Sequence, residues 1–352
     1  MKRTAMILIA ALALLASSCN LDNAGILYRG PDRTISDNMN RNYIGQNADS
    51  LFITTENGLE CIDLNSSSFT STLILEDPVF DVYLQDRAVL DDSDYIIYLD
   101  DNDPEKTSQQ FYLIDVKDLS NVRMKAVDSF AADKVFVDAF TTDSGNYFIA
   151  NDGTVYSVTV TTDGERVTGN VAAGSDGTLY SNIGGLRIFA EYDYDKDSDK
   201  ITNVSFYYLG QPLNFPDDYK DTDLAAQIRS VWTEGSDLYV ITNDTDYFHL
   251  FRGSTGGGDL THVSPISGIY RRPFPCTKIG DNIVFLHWNG SSSTSRLVTM
   301  PLDRSDPSYS TTSNGIEAEV FFTHNGSNYM LSKDHGMFQI VQADSGYSLQ
   351  SV

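Results

Sequence analysis

Residues 136–158 read FVDAFTTDSGNYFIANDGTVYSV, and this stretch decides the fold. An acid, Asp138, and an aromatic residue, Phe140, stand two positions apart at its start. A turn then leads to the apolar run 147–150, and Asn151-Asp152-Gly153 separates that run from a second apolar one. Short runs of β-branched and aromatic residues between Asn, Asp and Gly are typical of strands joined by tight turns. The stretch therefore predicts three antiparallel strands.

The first part of this pattern, a polar residue two positions before an aromatic one, recurs along the chain. The seven pairs are Arg41 and Tyr43, Asp81 and Tyr83, Asp138 and Phe140, Thr178 and Tyr180, Ser230 and Trp232, Arg272 and Phe274, and Glu319 and Phe321. Successive aromatic residues are 40 to 57 positions apart. Each pair is followed by two apolar runs, and a weaker fourth run fits most copies. A regular period of this length indicates a repeat architecture.

The repeat predicts the fold class. Seven four-stranded meanders of about 45 residues fit an all-β chain, a β-propeller of seven four-stranded blades over residues 36–352. The copies resemble the broad set of bacterial propeller proteins with WD40-like and quinoprotein-like repeats, although the WD40 dipeptides are absent and no kelch double glycine stands in register with the repeat. A pair of β-sandwiches is the alternative, but it gives no reason for a sevenfold period. Residues 100–109, 192–200, 255–258 and 289–295 are expected to be loops.

The N-terminus predicts export. Lys2 and Arg3 precede the apolar run 5–16, which is shorter than the roughly 20 residues of a membrane-spanning helix and fits a signal peptide over residues 1–18. Residues 15–19, LASSC, resemble the lipobox of bacterial lipoproteins, with the leucine one place earlier than usual. The resemblance implies that Cys19 is lipidated, for example with palmitate, and that residues 19–35 form a tether. Ordinary cleavage that leaves a free cysteine is the alternative.

The charge of the chain restricts its partners. The sequence has 24 Lys and Arg against 49 Asp and Glu, and removal of Lys2 and Arg3 with the leader leaves 22 basic residues and a net charge of about −27. Such an acidic surface repels phosphate backbones and anionic lipids. Nucleic acid is therefore excluded as a partner, and attachment to a membrane must come from the N-terminal lipid. Cys61 and Cys276 each lie in an apolar run and are expected to be buried free thiols.

The polar residue of each repeat is the candidate site. Its members are Arg41, Asp81, Asp138, Thr178, Ser230, Arg272 and Glu319. The innermost strands of a propeller surround a central channel, where such groups could recognise a polar ligand. Strand residues two apart share a face, however, so each polar residue should lie beside its aromatic neighbour, between blades. The sequence favours this second interpretation, a polar column in which each member hydrogen-bonds to the next blade.

Metal-binding and catalytic patterns are weak. Aspartates alternate from Asp193 to Asp199, but an EF-hand loop counted from Asp193 would need Gly and Glu where Ser198 and Val204 stand. We expect solvated acidic loops there and at residues 91–94 and 100–103, and no metal site. The five histidines form no HExxH motif, and no Gly-x-Ser-x-Gly elbow occurs. No catalytic residue and no cofactor is predicted.

These features together predict a lipid-anchored protein of the bacterial cell envelope, periplasmic or facing the cell surface. We expect a binding or scaffolding module whose propeller face contacts another envelope protein or an extracellular ligand. An envelope hydrolase or lyase acting on polysaccharide or peptide is one alternative, and it would place His, Glu, Arg and Tyr together at the channel mouth. A purely structural envelope lipoprotein is the other alternative.

Overall fold

The computed structural model describes residues 42–55, 58–67, 69–75, 88–92, 94–100, 109–142, 145–150, 152, 154–173, 180–182, 188–195, 200–219, 228–243, 247–267, 274–287, 294–302, 308–312, 315–333, 336–344 and 346–352. Within these ranges the chain forms 29 β-strands and one 3-10 helical turn, Asp217–Tyr219. The predicted leader, Cys19 and the tether lie outside the described residues. No helix in the described part of the chain is long and apolar enough to cross a membrane.

The strands form seven sheets, numbered here as blades one to seven in chain order. Blade one contains β1 (Asn42–Gln46), β2 (Ser50–Thr55), β3 (Gly58–Asp63) and β4 (Ser71–Leu75). Blade two contains β5 (Ala88–Asp91), β6 (Tyr95–Asp100), β7 (Gln110–Asp115) and β8 (Arg123–Val127). Blade three contains β9 (Phe136–Thr142), β10 (Gly145–Ala150), β11 (Val155–Val160) and β12 (Val167–Ala173). Blade four contains β13 (Tyr180–Asn182), β14 (Ile188–Asp195), β15 (Lys200–Tyr208) and β16 (Gln211–Asn214).

The remaining three blades follow the same order. Blade five contains β17 (Ile228–Glu234), β18 (Asp237–Asn243), β19 (Tyr247–Ser254) and β21 (Thr261–Ser267). The short β20 (Gly258–Asp259) lies between the last two in sequence but pairs with blade four. Blade six contains β22 (Cys276–Ile279), β23 (Asn282–His287), β24 (Arg296–Pro301) and β25 (Ser308–Thr311). Blade seven contains β26 (Ala318–His324), β27 (Ser327–Ser332), β28 (Met337–Gln342) and β29 (Tyr347–Ser351).

The blades are arranged in a ring around their first strands. In blades one to three, β1 contacts β5 and β5 contacts β9. In blades five to seven, β17 contacts β22, β22 contacts β26, and β26 contacts β1. Because the four strands of each blade form an antiparallel meander and the last blade returns to the first, the chain is a seven-bladed β-propeller. The predicted fold is confirmed.

The core lies between the blades. Every residue of β2 is buried, as expected for a central strand whose two faces are both covered by neighbouring sheets. Between blades two and three, the rings of Phe111, Phe136 and Phe148 meet edge to face at centroid distances of 5.4 to 5.8 Å. Edge-to-face packing is the favoured geometry for buried aromatic rings. These three aromatic residues therefore join blade two to blade three.

Blades one and seven close this ring without exchanging a strand, since each is built from one continuous segment. Leu51, Ile53, Ile62 and Leu64 of blade one pack against Phe322, Leu331 and Met337 of blade seven. The Gln46 side-chain amide also donates a hydrogen bond of 3.1 Å to the carbonyl of Thr323. Side-chain packing therefore holds the first blade against the last.

Blade four differs from the prediction because it gains a fifth strand. β20, which begins at the last residue of the expected loop 255–258, pairs parallel to β16, and the N–H of Leu260 donates to the carbonyl of Asn214 over 2.8 Å. Gly257 has φ +84°, and a Cβ there would lie 2.8 Å from the carbonyl oxygen of Pro212. Glycine permits both the backbone angle and the close approach. The expected loop 255–258 therefore ends in a short paired strand.

Two further boundaries differ from the sequence interpretation. The described first strand of blade two is β5, so Asp81 and Tyr83 do not mark it; both lie outside the described residues. The expected loop 192–200 is partly strand, because β14 continues through Asp195 and β15 begins at Lys200. Asp193 and Asp195 therefore belong to a paired strand rather than to a loop.

Candidate functional site

The polar column is only partly described. The side chains of Ser230 and Glu319 are described, and Asp138 is placed on β9 by its backbone alone. Arg41, Asp81, Thr178 and Arg272 lie outside the described residues. The role of those four in a channel or between blades stays a prediction.

Ser230 lies between blades five and six. Its side chain is buried, and its hydroxyl donates a hydrogen bond of 3.1 Å to the sulfur of Cys276 on the next blade. Burial of this thiol raises the pKa of Cys276 to about 12, because a thiolate there would lose its hydration. Burial also raises the pKa of Cys61, and both cysteines are free thiols. This part of the column connects two blades and offers no reactive nucleophile.

Glu319 lies where the ring closes. Its Oε1 accepts a hydrogen bond of 2.9 Å from the backbone N–H of Tyr43 on β1. Backbone donors that are shielded from water need a partner, and a carboxylate is a strong one. The contact therefore joins the first strand of blade seven to the first strand of blade one.

Strand register separates Glu319 from the other described members of the column. In β26 the pairing shifts at Glu319, a β-bulge, and in β17 the corresponding shift falls at Arg229, one residue before Ser230. Phe322 occupies the position of Trp232, since each ring contacts the tyrosine opposite it on the second strand. The repeat in blade seven is thus one residue later than the sequence pattern placed it. Glu319 therefore corresponds to Arg229 of blade five, and Val320, which is not polar, holds the position of Ser230.

Asp91 makes a further connection between blades that sequence reasoning missed. It was expected in a solvated acidic loop, but it is buried at the end of β5. Its carboxylate accepts hydrogen bonds from Asn146 Nδ2 at 2.9 Å, Thr159 Oγ1 at 3.2 Å and the N–H of Val160 at 2.6 Å. All three donors belong to blade three. The available signal in the sequence was the position of Asp91. It directly follows the apolar residues of a strand, whereas an acid of a solvated loop has polar neighbours on both sides.

The described residues also bring together two histidines and a tyrosine between blades four and five. His249 is on β19, His262 on β21, and Tyr219 ends the 3-10 turn before blade five. The His249 Nδ1 and His262 Nε2 atoms are 3.3 Å apart. The Tyr219 hydroxyl lies 3.3 Å from His262 Nδ1 and 3.5 Å from His262 Nε2. We name these three residues the His–Tyr cluster.

The meander accounts for the His–Tyr cluster. His249 and Phe251 are two apart on β19 and share a face, and Phe251 belongs to the apolar core between blades four and five. His262 is the register partner of Phe251 on the adjacent β21. The ring of Tyr219 contacts both histidine rings and that of Phe251, at centroid distances of 4.8 to 5.1 Å. The histidines match no motif in sequence, and the available signal was the position of His249 and His262 on neighbouring strands of one blade.

No protein-family model matches the chain, and no curated protein matches it. A putative 6-phosphogluconolactonase from Bacteroides fragilis is 11% identical, with 91% of this chain and 95% of that one covered and a TM-score of 0.49. A second, from Bacteroides uniformis, is 13% identical, with 84% and 91% covered and a TM-score of 0.48. BamB from Moraxella catarrhalis is 13% identical, with 86% and 82% covered and a TM-score of 0.43. Similarities this low carry no functional conclusion, and the assignment as a seven-bladed β-propeller rests on the blade topology of this chain.

Proposed function

We propose that this protein is a lipid-anchored cell-envelope protein that acts as a binding or scaffolding module through one face of its propeller. The observation that carries the proposal is the strand topology, because it places the beginning of β1 and the most variable connections at the same face of a closed ring.

Topology defines this face. In an antiparallel meander, the start of the first strand lies at the same end of the blade as the connection between the second and third strands. We name this end the N-terminal face. The two longest connections between second and third strands are residues 101–109 and 288–295. The strand ends that flank them lie at the N-terminal face. Loops of variable length on a rigid scaffold are where binding specificity is usually found.

The predicted anchor is compatible with this arrangement. Cys19 precedes Asn42, the first residue of β1, by 23 positions. Fully extended, a segment of that length reaches at most about 80 Å. The sequence has 49 acidic and 24 basic residues, so anionic head groups repel the protein surface and the lipid would supply the attachment. The propeller could then present its N-terminal face to a partner near the membrane.

The connections between blades support a scaffolding role. Blades two and three share the buried Asp91 network, and blades seven and one share the Glu319 contact. In addition, the Gln109 side chain donates to the carbonyl of Phe136 over 2.7 Å and accepts from its N–H over 2.6 Å, joining blade two to blade three at two points. A binding face on sheets held in this way needs little reorganisation when a partner binds.

Substitution of Cys19 tests the anchor. Cys19→Ser should abolish labelling by radioactive palmitate and move the protein from the membrane to the soluble fraction, since no other cysteine follows a lipobox-like sequence. Cys61→Ser is the matched control and should keep both labelling and membrane association. Unchanged labelling of Cys19→Ser would contradict the proposed anchor.

Photocrosslinking in cells tests the binding face. Tyr247 begins the third strand of blade five at the N-terminal face, and Tyr309 lies on the outermost strand of blade six; both are exposed. A photoreactive phenylalanine analogue should capture a defined partner from position 247 and not from position 309. The same adducts from both positions, or none from either, would refute a binding face at this end of the ring.

A further inference from the structure

We propose that two copies of this chain associate through the outermost strand of blade three, β12, which pairs antiparallel with the same strand of the second copy. The contact lies on the rim of the ring and not on the N-terminal face. The inference therefore goes beyond the binding face proposed above, and it does not depend on the anchor.

β12 has backbone groups that no strand in the described part of the chain pairs with. The sheet of blade three ends at β12. The N–H of Thr161 donates to the carbonyl of Arg166 over 2.8 Å, and this bond sets which residues of the β11–β12 hairpin face each other through hydrogen bonds. Because these positions alternate along the ladder, every second residue of β12 directs its N–H and C=O groups away from the sheet. These residues are Val167, Gly169 and Val171.

The outermost strands of the other blades have features that discourage pairing. β8 contains Arg123 and Lys125, while β16 and β21 contain Pro212 and Pro265. β4, β25 and β29 have five residues or fewer. Charge, proline and short length are usual ways in which proteins protect the edges of sheets. β12 has seven residues, VTGNVAA, without a charge or a proline, and no described strand lies beyond it.

The sequence of β12 is complementary to itself, which is why the partner is a second copy. A twofold axis at Gly169 places this residue opposite its own copy, Val167 opposite Val171, and Thr168 opposite Asn170. Apolar residues then face apolar ones, and polar residues face polar ones. The three outward-directed residues of each copy exchange hydrogen bonds in both directions, up to about six in total.

One face of this edge is apolar. Val167, Gly169 and Val171 alternate along β12 and share a face. The ring of Phe130 lies over Gly169, where a Cβ would clash with it, whereas the side chain of Val171 is 64% exposed. A twofold axis perpendicular to the sheet keeps this face on the same side in both copies. Pairing would therefore cover the exposed Val171 of each copy with Val167 of the other.

Charge favours this uncharged edge over the rest of the surface. The chain has 49 acidic and 24 basic residues, so two copies repel each other wherever acidic surfaces meet. Glu165 and Arg166 directly precede β12, and the twofold axis places them beside Ala172 of the other copy and away from their own counterparts. One pair of strands is a small interface compared with the roughly 1,200–2,000 Å² of stable complexes. We therefore expect a weak dimer that added salt strengthens by screening the repulsion.

Analytical ultracentrifugation of the Cys19→Ser chain tests the dimer without a lipid. We expect a reversible equilibrium between monomer and dimer, with a lower dissociation constant at about 0.5 M than at about 0.05 M NaCl. In the same background, Val171→Lys should raise the dissociation constant by at least about 10-fold, because a charge on the strand opposes pairing.

Leu73→Lys is the matched control. Leu73 is 43% exposed on the outermost strand of blade one, so this variant carries the same change of charge and should dimerise as its parent does. Circular dichroism verifies that both lysine variants are folded. A strand from another protein at this edge would leave the purified chain monomeric. A chain that stays monomeric at about 0.5 mM, a dimer that salt dissociates, or equal dissociation constants for the two lysine variants would overturn the proposal.

Cysteine pairs test the register. Thr168 and Asn170 of opposite copies form a pair without backbone hydrogen bonds, with Cα atoms about 4.5 Å apart, a distance that a disulfide can span. Two copies of the same residue are displaced by two positions along the strand and lie about 8 Å apart, which is too far. An oxidised mixture of Thr168→Cys and Asn170→Cys, each in the Cys19→Ser background, should therefore give mainly the mixed disulfide. A statistical mixture of the three disulfides, or none, would contradict a twofold axis at Gly169.

Discussion

Replacement of Asp91 by Asn should destabilise the propeller, although the two side chains have almost the same shape. The Asp91 carboxylate presents one oxygen to Asn146 Nδ2 and the other to Thr159 Oγ1 and the N–H of Val160. Asn has one acceptor oxygen and places an NH₂ group where the second oxygen was. At least one buried donor of blade three then faces another donor.

The size of the effect follows from these contacts. Asn146 cannot turn its amide to accept from the new NH₂ group without losing its own hydrogen bond of 3.0 Å to the carbonyl of Leu90. A buried donor left without a partner costs about 1–3 kcal/mol. Hydrogen bonds to a charged acceptor are roughly twice as strong as neutral ones, so the bonds that remain also weaken. We expect Asp91→Asn to lower the free energy of unfolding by about 2–3 kcal/mol.

Urea unfolding followed by circular dichroism measures this loss, with Asp92→Asn as the matched control. Asp92 is the next residue, is exposed and has φ +47°, a conformation that Asn tolerates well. The control removes the same charge and should change stability by less than about 0.5 kcal/mol. A loss below that value for Asp91→Asn, or equal losses for the two variants, would refute the network as a connection between blades.

Two further predictions concern burial and the fifth strand of blade four. Because desolvation raises the pKa of the half-buried Cys276 to about 12, iodoacetamide at pH 8 should label it about a hundred- to a thousandfold more slowly than an ordinary free cysteine, and promptly only after unfolding in urea. Rapid labelling of the folded protein would contradict the raised pKa. Gly257→Ala should lower stability by about 1–2 kcal/mol more than Gly280→Ala, because both glycines have positive φ but only the Cβ at 257 meets backbone. Equal losses in melting temperature would contradict the parallel pairing of β20 with β16.

The fold was predictable because its determinants are local. The stretch 136–158 alternates strand and turn residues, and six further copies repeat that pattern, so the number of blades follows from the period. The structure places β9, β10 and β11 on that stretch with two short connections, as the pattern indicates. Periodicity and turn chemistry are properties of neighbouring residues, and a sequence displays them directly.

The details that the sequence did not reveal depend on pairing between distant residues. Glu319 occupies the bulge of β26, so Val320 and not Glu319 aligns with Ser230, and this alignment depends on the pairing of β26 with β27. Asp91 resembles its exposed neighbours until its partners on blade three are known. His249 and His262 meet only because β19 and β21 pair. The glycine-rich segment before β20 has loop composition, since glycine serves both flexible loops and close backbone approach.

Crosslinking across blades one and seven tests the closed seven-bladed ring most directly. Gln46 and Thr323 are 277 positions apart in sequence and are joined by a hydrogen bond. In a Cys19→Ser background, Gln46→Cys with Thr323→Cys should react with a short bismaleimide to give an internally looped monomer of altered mobility on a denaturing gel. Gln46→Cys with Thr233→Cys, which stands at the corresponding position of blade five, should not. Absence of the looped product from the first pair, or equal product from both pairs, would contradict a ring closed between the first and last blades.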